Sequence, residues 1–185
     1  MKSIYTIISI VLFLSFASFS QDFEQKGTWE LGGSVGFSSS TSVYMGNTSS
    51  SSTSVVSISP EAGYLISNNF ELALSPFSYT SISYGSGSTS EFRFLIAPTW
   101  NFDTHSNAYP YLQGLVGYGT ISNSGETVSG LDYGFQGGVK LQIAKSSLIN
   151  IGVSYVMTNR EPSGVTERIG TNTIQVLAGF SVFIK

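Results

Sequence analysis

Cysteine is absent from the 185 residues of this chain. Its absence excludes disulfide bonds, thiolate chemistry, cysteine metal sites and lipid attachment through a cysteine. Charged residues are also scarce, at 10% of the chain, against about 25% in ordinary soluble proteins. Because a soluble domain needs a charged surface to stay dispersed, the deficit indicates that much of the surface meets lipid.

Histidine occurs once, as His105 in a predicted turn over residues 103–107. A catalytic base needs a positioned partner and a pocket, so we expect His105 to be an exposed turn residue. Sites that need two or more histidines are excluded. The net charge of −3 leaves no basic surface for nucleic acid. We therefore predict no catalytic residue, no metal site, no cofactor and no nucleic-acid partner.

The first twenty residues have the order of a secretory signal peptide. Lys2 supplies a positive start, no charge follows until Asp22, and an apolar run over residues 7–14 precedes small residues. Cleavage is expected after Ser20, with Ala17 as the alternative, so residues 21–185 form the exported domain. An uncleaved membrane anchor is the other interpretation of this segment.

The remainder of the chain alternates between apolar and polar residues rather than following a helical period. The clearest case is residues 131–143, where Leu131, Tyr133 and Phe135 oppose Asp132 and Gly134. Eight such strands are predicted, at residues 28–38, 54–65, 70–81, 91–100, 109–120, 131–143, 148–157 and 173–184.

The predicted connections alternate in length. Three are short, at residues 66–69, 103–107 and 144–147, and four are longer, at residues 39–53, 82–90, 121–128 and 158–170. Eight up-and-down strands with both termini beside the short turns produce this series. The pattern predicts an all-β protein, a closed antiparallel up-and-down transmembrane β-barrel. A slip in the alternation near Pro76 suggests a β-bulge.

The composition of the polar face indicates whether lipid or water surrounds the barrel. It carries mainly Gly, Ser, Ala, Gln and Asn, which fit the narrow interior of eight strands, while the apolar face suits hydrocarbon. The alternative is a secreted soluble barrel, because Gly27, Thr28 and Trp29 resemble the Gly-x-Trp signature of lipocalins. Such a barrel would turn its charges outward.

Aromatic residues gather near both ends of the predicted strands, as in the girdles of outer-membrane barrels. The row expected at the periplasmic rim is Trp29, Tyr64, Phe70 and Trp100, with Tyr109 as a further candidate. The row expected at the outer rim is Phe37, Phe92, Tyr118, Tyr133 and Tyr155.

Charges on the polar face are few. In this register Glu30, Glu61, Glu71, Arg93 and Lys140 all project inward. Because buried charges must be paired, we expect a salt-bridged interior plug with Lys140 or another cation between Glu61 and Glu71, in preference to an ion path.

Three segments resemble the outer-membrane β-barrel domain family of small OmpA/OmpX-type barrels. They are the strand–turn–strand unit carrying Ile58, Pro60, Gly63, Tyr64, Asn68, Phe70 and Leu74, and residues 110–119 and 179–185. The resemblance implies outer-membrane localisation and insertion by the barrel-assembly machinery. The closing strand departs from the usual assembly signal, since it ends on Lys185 and carries Leu177 where a polar residue is expected.

The expected function is non-enzymatic: envelope integrity or surface contact through the outer loops, by a monomer surrounded by outer-membrane lipid, with no surface ligand indicated. The loop over residues 39–53 is rich in Ser and Thr, and the loop over 158–170 carries Arg160, Glu161, Glu167 and Arg168 as solvated charges. A narrow conduit for small or hydrophobic solutes is the first alternative function, and the lipocalin-like barrel is the second.

Overall fold

The computed structural model describes residue 23 and residues 25–44, 47–82, 88–123, 126–160 and 169–185. The predicted signal peptide lies outside the described residues, so its cleavage stays a prediction. Within the described part, no helix has the length and apolar character needed to cross a membrane.

Eight antiparallel strands close into one barrel, each pairing with the next and β8 pairing with β1. The predicted fold class is confirmed. The strands are β1 (Trp29–Tyr44), β2 (Asn47–Ser67), β3 (Phe70–Ile82), β4 (Ser88–Asn101), β5 (Ala108–Asn123), β6 (Glu126–Ala144), β7 (Ser147–Arg160) and β8 (Ile169–Ile184).

Side chains alternate between the two faces of the wall, as the period of a β-strand requires. In β7, Ile151 and Val153 are exposed on the outside, whereas Gly152, Ser154 and Val156 are buried inside. The alternation of residues in the sequence therefore corresponds to the outer and inner faces of the barrel wall.

The outer ends of the strands extend further than predicted. Tyr44 of β1 pairs with Asn47 of β2, and Asn123 of β5 pairs with Glu126 of β6. The expected long loops over residues 39–53 and 121–128 are therefore wrong, because most of their residues belong to strands. Their Ser- and Thr-rich sequence lacks apolar alternation, yet backbone pairing across a hairpin does not depend on it.

The other end of the barrel carries three connections, over residues 68–69, 102–107 and 145–146. Asn69 and His105 adopt left-handed backbone conformations there, with φ of 68° and 53°, which Asn and His tolerate better than most residues. Trp29 pairs with Ile184 at this end, so the chain enters and leaves the barrel beside these turns.

Pairing between β2 and β3 is interrupted between Ile58↔Ser78 and Ala62↔Leu74. The register on either side places Pro60 opposite Pro76, and neither residue has a backbone N–H to donate. β3 pairs with β4 through Pro76 without a shift. In place of the predicted bulge, the structure therefore has a gap in the pairing of β3 with β2 at Pro76.

The outer surface is apolar over its whole circumference. Large side chains exposed on it include Trp29, Leu31, Val35, Ile58, Leu72, Phe94, Ile96, Leu112, Val116, Phe135, Ile151, Val153, Ile174 and Val176. The interior holds glycines, small polar residues and paired charges. A soluble lipocalin-like barrel has the opposite arrangement, so that alternative does not fit the structure.

Candidate functional site: the closed barrel lumen

Lys140 on β6 joins two strands across the lumen near the end that carries the short turns. Its Nζ donates to Glu30 Oε2 on β1 at 2.6 Å and to Glu71 Oε2 on β3 at 2.8 Å. All three side chains are buried. Because these strands are not adjacent in the sheet, the ion pairs link opposite parts of the wall.

Neighbouring polar side chains complete this lower cluster, which we define as Glu30, Glu61, Glu71 and Lys140. Ser181 Oγ donates to Glu30 Oε1 at 2.6 Å, and Asn101 Nδ2 donates to Glu71 Oε2 at 3.4 Å. Ser181 thus serves the Glu30 oxygen that Lys140 leaves free, whereas Asn101 shares Glu71 Oε2 with Lys140, and the buried Glu71 Oε1 has no hydrogen-bond partner among the described residues. These bonds offset part of the cost of burying the carboxylates.

An apolar floor lies beneath the lower cluster. Phe23, which precedes β1, places its ring 4.9 Å from Lys140 Nζ. It packs against Tyr109 and Phe183, with ring centroids 5.5 and 5.4 Å apart. The buried cluster also contains Leu65 and Leu148. These residues close the lumen at this end.

Tyr109 is part of this floor and not of the outer aromatic row. Only 7% of the residue is exposed, and its hydroxyl donates to Gln142 Oε1 at 3.1 Å. Its inward direction follows from strand parity, because Tyr111 and Gln113 on the same strand are also buried. The suggested rim position of Tyr109 is therefore wrong.

A second set of charges, the upper cluster, crosses the lumen toward the outer end and consists of Glu91, Arg93, Asp132 and Arg160. Arg93 Nε lies 2.8 Å from Glu91 Oε1 and 3.4 Å from Asp132 Oδ2. Arg160 donates to Glu91 Oε1 at 2.8 Å and to Asp132 Oδ1 at 2.5 Å. The upper cluster therefore contains equal numbers of cations and carboxylates, two of each.

The five predicted interior charges therefore divide between two clusters, with Arg93 in the upper one. The predicted plug does not include Glu91 and Asp132, the two carboxylates of the upper cluster. The predicted position of Arg160 in a solvated loop is wrong, because Arg160 ends β7 and is 3% exposed. The loop charges Glu161, Glu167 and Arg168 lie outside the described residues.

Glu61 stands apart from the ion pairs. The expected position of Lys140 between Glu61 and Glu71 is only half met, because Lys140 forms an ion pair with Glu71 and not with Glu61. Glu61 Oε1 instead accepts from Gln113 Nε2 at 3.4 Å. The same Gln113 nitrogen donates to Thr99 Oγ1 at 2.8 Å.

Two small cavities, each of about 30 Å³, border Glu61 in the lumen. The first adjoins Lys140, Glu30 and Asn150. The second adjoins Leu95, Leu115 and a group of serines. Cavities of this size hold one or two water molecules, so the described lumen is a packed interior and not an open pore.

The predicted interface aromatics lie on the outer wall, and several form pairs. Trp29 and Tyr64 have ring centroids 4.9 Å apart, and Phe70 and Trp100 are 6.1 Å apart. On the other half of the wall, Phe37, Phe92, Tyr118, Tyr133 and Tyr155 are exposed or half-buried. Contact with lipid headgroups stays a prediction for both rows.

His105 is 90% exposed in the turn after β4, where its ring Nδ1 lies 2.9 Å from Asp103 Oδ1. The backbone N–H of His105 also donates to this oxygen at 2.7 Å, and this bond lowers the pKa of Asp103 below its ordinary value. Within the described ranges, no group of three or more His, Cys, Asp or Glu side chains is arranged to hold a metal ion.

Solved structures that are similar to this chain include three small barrels. Neisserial surface protein A gives a TM-score of 0.71 at 18% identity, covering 85% of this chain and 99% of that one. OprG from Pseudomonas aeruginosa gives a TM-score of 0.53 at 15% identity, covering 88% and 99%. AlkL, solved in DMPC bilayers, gives 0.53 at 16% identity, covering 92% and 95%.

No protein-family model matches the chain, and no curated protein matches it at a significant level. The structural matches cover almost the full length of each neighbour, and their shared architecture is the closed barrel described above. The fold is therefore that of the small eight-stranded outer-membrane barrels of OmpA/OmpX type, in agreement with the resemblance drawn from the sequence.

Proposed function

We propose that this protein is a non-enzymatic barrel of the outer membrane that acts in envelope integrity or surface contact and does not conduct solutes along its axis. The observation that carries the proposal is that the lumen is closed by two charge clusters and by an apolar floor. The upper cluster, the lower cluster and the apolar floor follow one another along the axis, and each joins strands from different parts of the wall.

The apolar outer wall supports the proposal that lipid surrounds the barrel. Nine residues from Trp29 to Phe37, at ~3.4 Å per step and ~40° tilt, span roughly 21 Å along the axis, close to the ~25 Å apolar band of such barrels. Export by the predicted signal peptide, insertion by the barrel-assembly machinery and a monomeric state in outer-membrane lipid belong to the same proposal.

The surface role rests on the outer ends of β1, β2 and β8. From Phe37 to Tyr44, β1 continues for roughly 18 Å beyond the outer aromatic row. It pairs with β2 and β8 to that end. Residues 38–55 carry no charge and are mainly Ser and Thr. Such a projecting, uncharged sheet can contact a partner outside the membrane. The name of neisserial surface protein A is consistent with this role.

Conductance tests the closed lumen. Purified protein in planar bilayers should give no steady channel in potassium chloride, while its folded state is verified by a mobility shift on boiling. Double substitution of Glu91→Gln and Asp132→Asn tests the same barrier by weakening the upper cluster. A wild-type barrel that is heat-modifiable and also conducts steadily would contradict the proposal.

A shortened hairpin tests surface contact. Replacing residues 40–53 with a two-residue turn should leave a heat-modifiable barrel, because Ser39 and Ser54, which pair directly below the turn, are unchanged. Cells producing the shortened protein in place of the wild type should lose surface attachment or resistance to detergent. Wild-type behaviour in both assays would exclude the hairpin as the functional element.

The interrupted β2–β3 pairing favours a second candidate, lateral passage of hydrophobic solutes through the wall. Ser59, Glu61 and Ser75 border the second cavity beside this gap. A disulfide between Ile58→Cys and Ser78→Cys, paired positions at the edge of the gap, would hold the two strands together. Uptake of a hydrophobic solute that falls on oxidation and recovers on reduction would support this candidate. Uptake equal to that of cells lacking the protein would exclude it.

A further inference from the structure

The two charge clusters differ in their balance. The upper cluster holds two carboxylates and two guanidinium groups. The lower cluster holds three carboxylates, and Lys140 is the one cation that forms ion pairs with them in the described part of the chain. Lys140 forms its ion pairs with Glu30 and Glu71. Glu61 is therefore the carboxylate without an ion pair.

Gln113 defines the chemistry beside Glu61. Its amide nitrogen points toward Glu61 and Thr99, since it donates to both. Thr99 Oγ1 donates to the carbonyl oxygen of Ala97 at 3.2 Å and therefore accepts from Gln113, which assigns the amide nitrogen to this side and the amide oxygen to the other. Gln113 is 2% exposed, and its Oε1 has no hydrogen-bond partner. A buried acceptor without a donor needs an explanation in a native structure.

Glu61 and Gln113 both line the second cavity, which has a volume of about 30 Å³, and both also line the first. Lys140 and Glu30 border the first cavity but not this one. The remaining polar lining consists of neutral amides and hydroxyls: Gln136, Gln175, Ser34, Ser59, Ser75 and Ser154. Glu61 is thus the one charged residue in a lining that is otherwise neutral and also includes the apolar residues Leu95, Leu115, Val156 and Leu177.

We propose that this cavity binds a monovalent cation such as Na⁺, held by the carboxylate of Glu61 and the free amide oxygen of Gln113. Hard cations take oxygen ligands from carboxylates, amides and hydroxyls, and the serines and a water can complete the shell. A site with one carboxylate suits a single charge. The described residues contain no group of acidic or histidine side chains suited to a metal ion that needs several.

Urea unfolding in neutral phosphatidylcholine vesicles at pH 8 tests the site. Sodium chloride is exchanged for tetramethylammonium chloride at constant total salt, because tetramethylammonium is too large for the cavity. Above the dissociation constant, each tenfold increase in sodium should raise the folding equilibrium constant about tenfold. Glu61→Gln should remove this dependence, and Gln113→Met should weaken it. Asp103→Asn, at an exposed turn carboxylate, should retain it.

Identical wild-type midpoints in the two salts would overturn the proposal, and this comparison needs no variant to fold. A sodium dependence that Glu61→Gln retains would also overturn it, because the ion would then act elsewhere. A stability that changes with pH but not with sodium would overturn it as well and assign a proton to Glu61. Conductance does not enter this test, so its result is independent of the proposed closed lumen.

Discussion

Arg160 Nη2 lies 2.8 Å from Glu91 Oε1, although the two residues are 69 positions apart and belong to strands that are not neighbours in the barrel. Both side chains are buried. Backbone pairing connects each strand only to the next, so this contact joins β7 to β4 directly through the lumen. The interior charges therefore hold the barrel across its diameter as well as closing it.

Arg160→Met should destabilise the folded barrel by about 3–5 kcal/mol, because Glu91 and Asp132 would keep only Arg93 in a buried site. Urea unfolding in lipid vesicles measures the change. Lys145→Met removes an exposed cation from the turn after β6 and should alter stability by less than about 0.5 kcal/mol. Equal effects of the two substitutions would show that Arg160 is not part of a structural cluster.

Lys140→Met should also cost about 3–5 kcal/mol, since it leaves Glu30 and Glu71 buried without their cation. Adding Glu71→Gln to Lys140→Met removes one of the stranded charges and should recover part of the loss. A double-mutant cycle gives the coupling between the two residues. Unchanged unfolding of Lys140→Met would contradict the ion-paired plug.

Gly63→Ala should destabilise the barrel by about 1–3 kcal/mol. A Cβ at this position would overlap Glu71 Oε1, so Glu71 would have to move away from Lys140. Gly114→Ala is the matched control within a strand, because its Cβ would meet only Pro98 Cγ at 3.6 Å. Unfolding midpoints that change equally would show that the loss comes from glycine replacement in general.

The strand number and the face of each residue could be predicted because a single physical rule governs both. Side chains alternate across a strand, and the apolar ones must meet lipid. The same parity places Arg160 inside with Ser154, Val156 and Thr158, all of which are buried. The incorrect assignment of Arg160 came from ending β7 where its apolar residues stop.

The outer ends of the strands and the pairing of the charges could not be predicted from the same pattern. The tract from Ser38 to Thr53 has too few apolar residues to reveal a strand, and its pairing is made by the backbone. Which carboxylate meets Lys140 depends on the stagger of strands distant in sequence. Phe23 precedes the first strand, so no periodicity indicates that its ring closes the lumen.

Substitutions on the outer wall test most directly whether lipid or water surrounds the barrel. Ile96 is 41% exposed on β4, four residues from both Phe92 and Trp100, which places it near the middle of the apolar band. Ile96→Arg should therefore cost about 2–4 kcal/mol in lipid vesicles, whereas Ile143→Arg, beside the turn after β6, should cost about 0–1 kcal/mol. Ile143 is 56% exposed, so the two sites differ in depth and not in access. If the band faced water, both substitutions would be nearly neutral. Unfolding in vesicles thus distinguishes the two environments, and equal small costs would reject the membrane assignment.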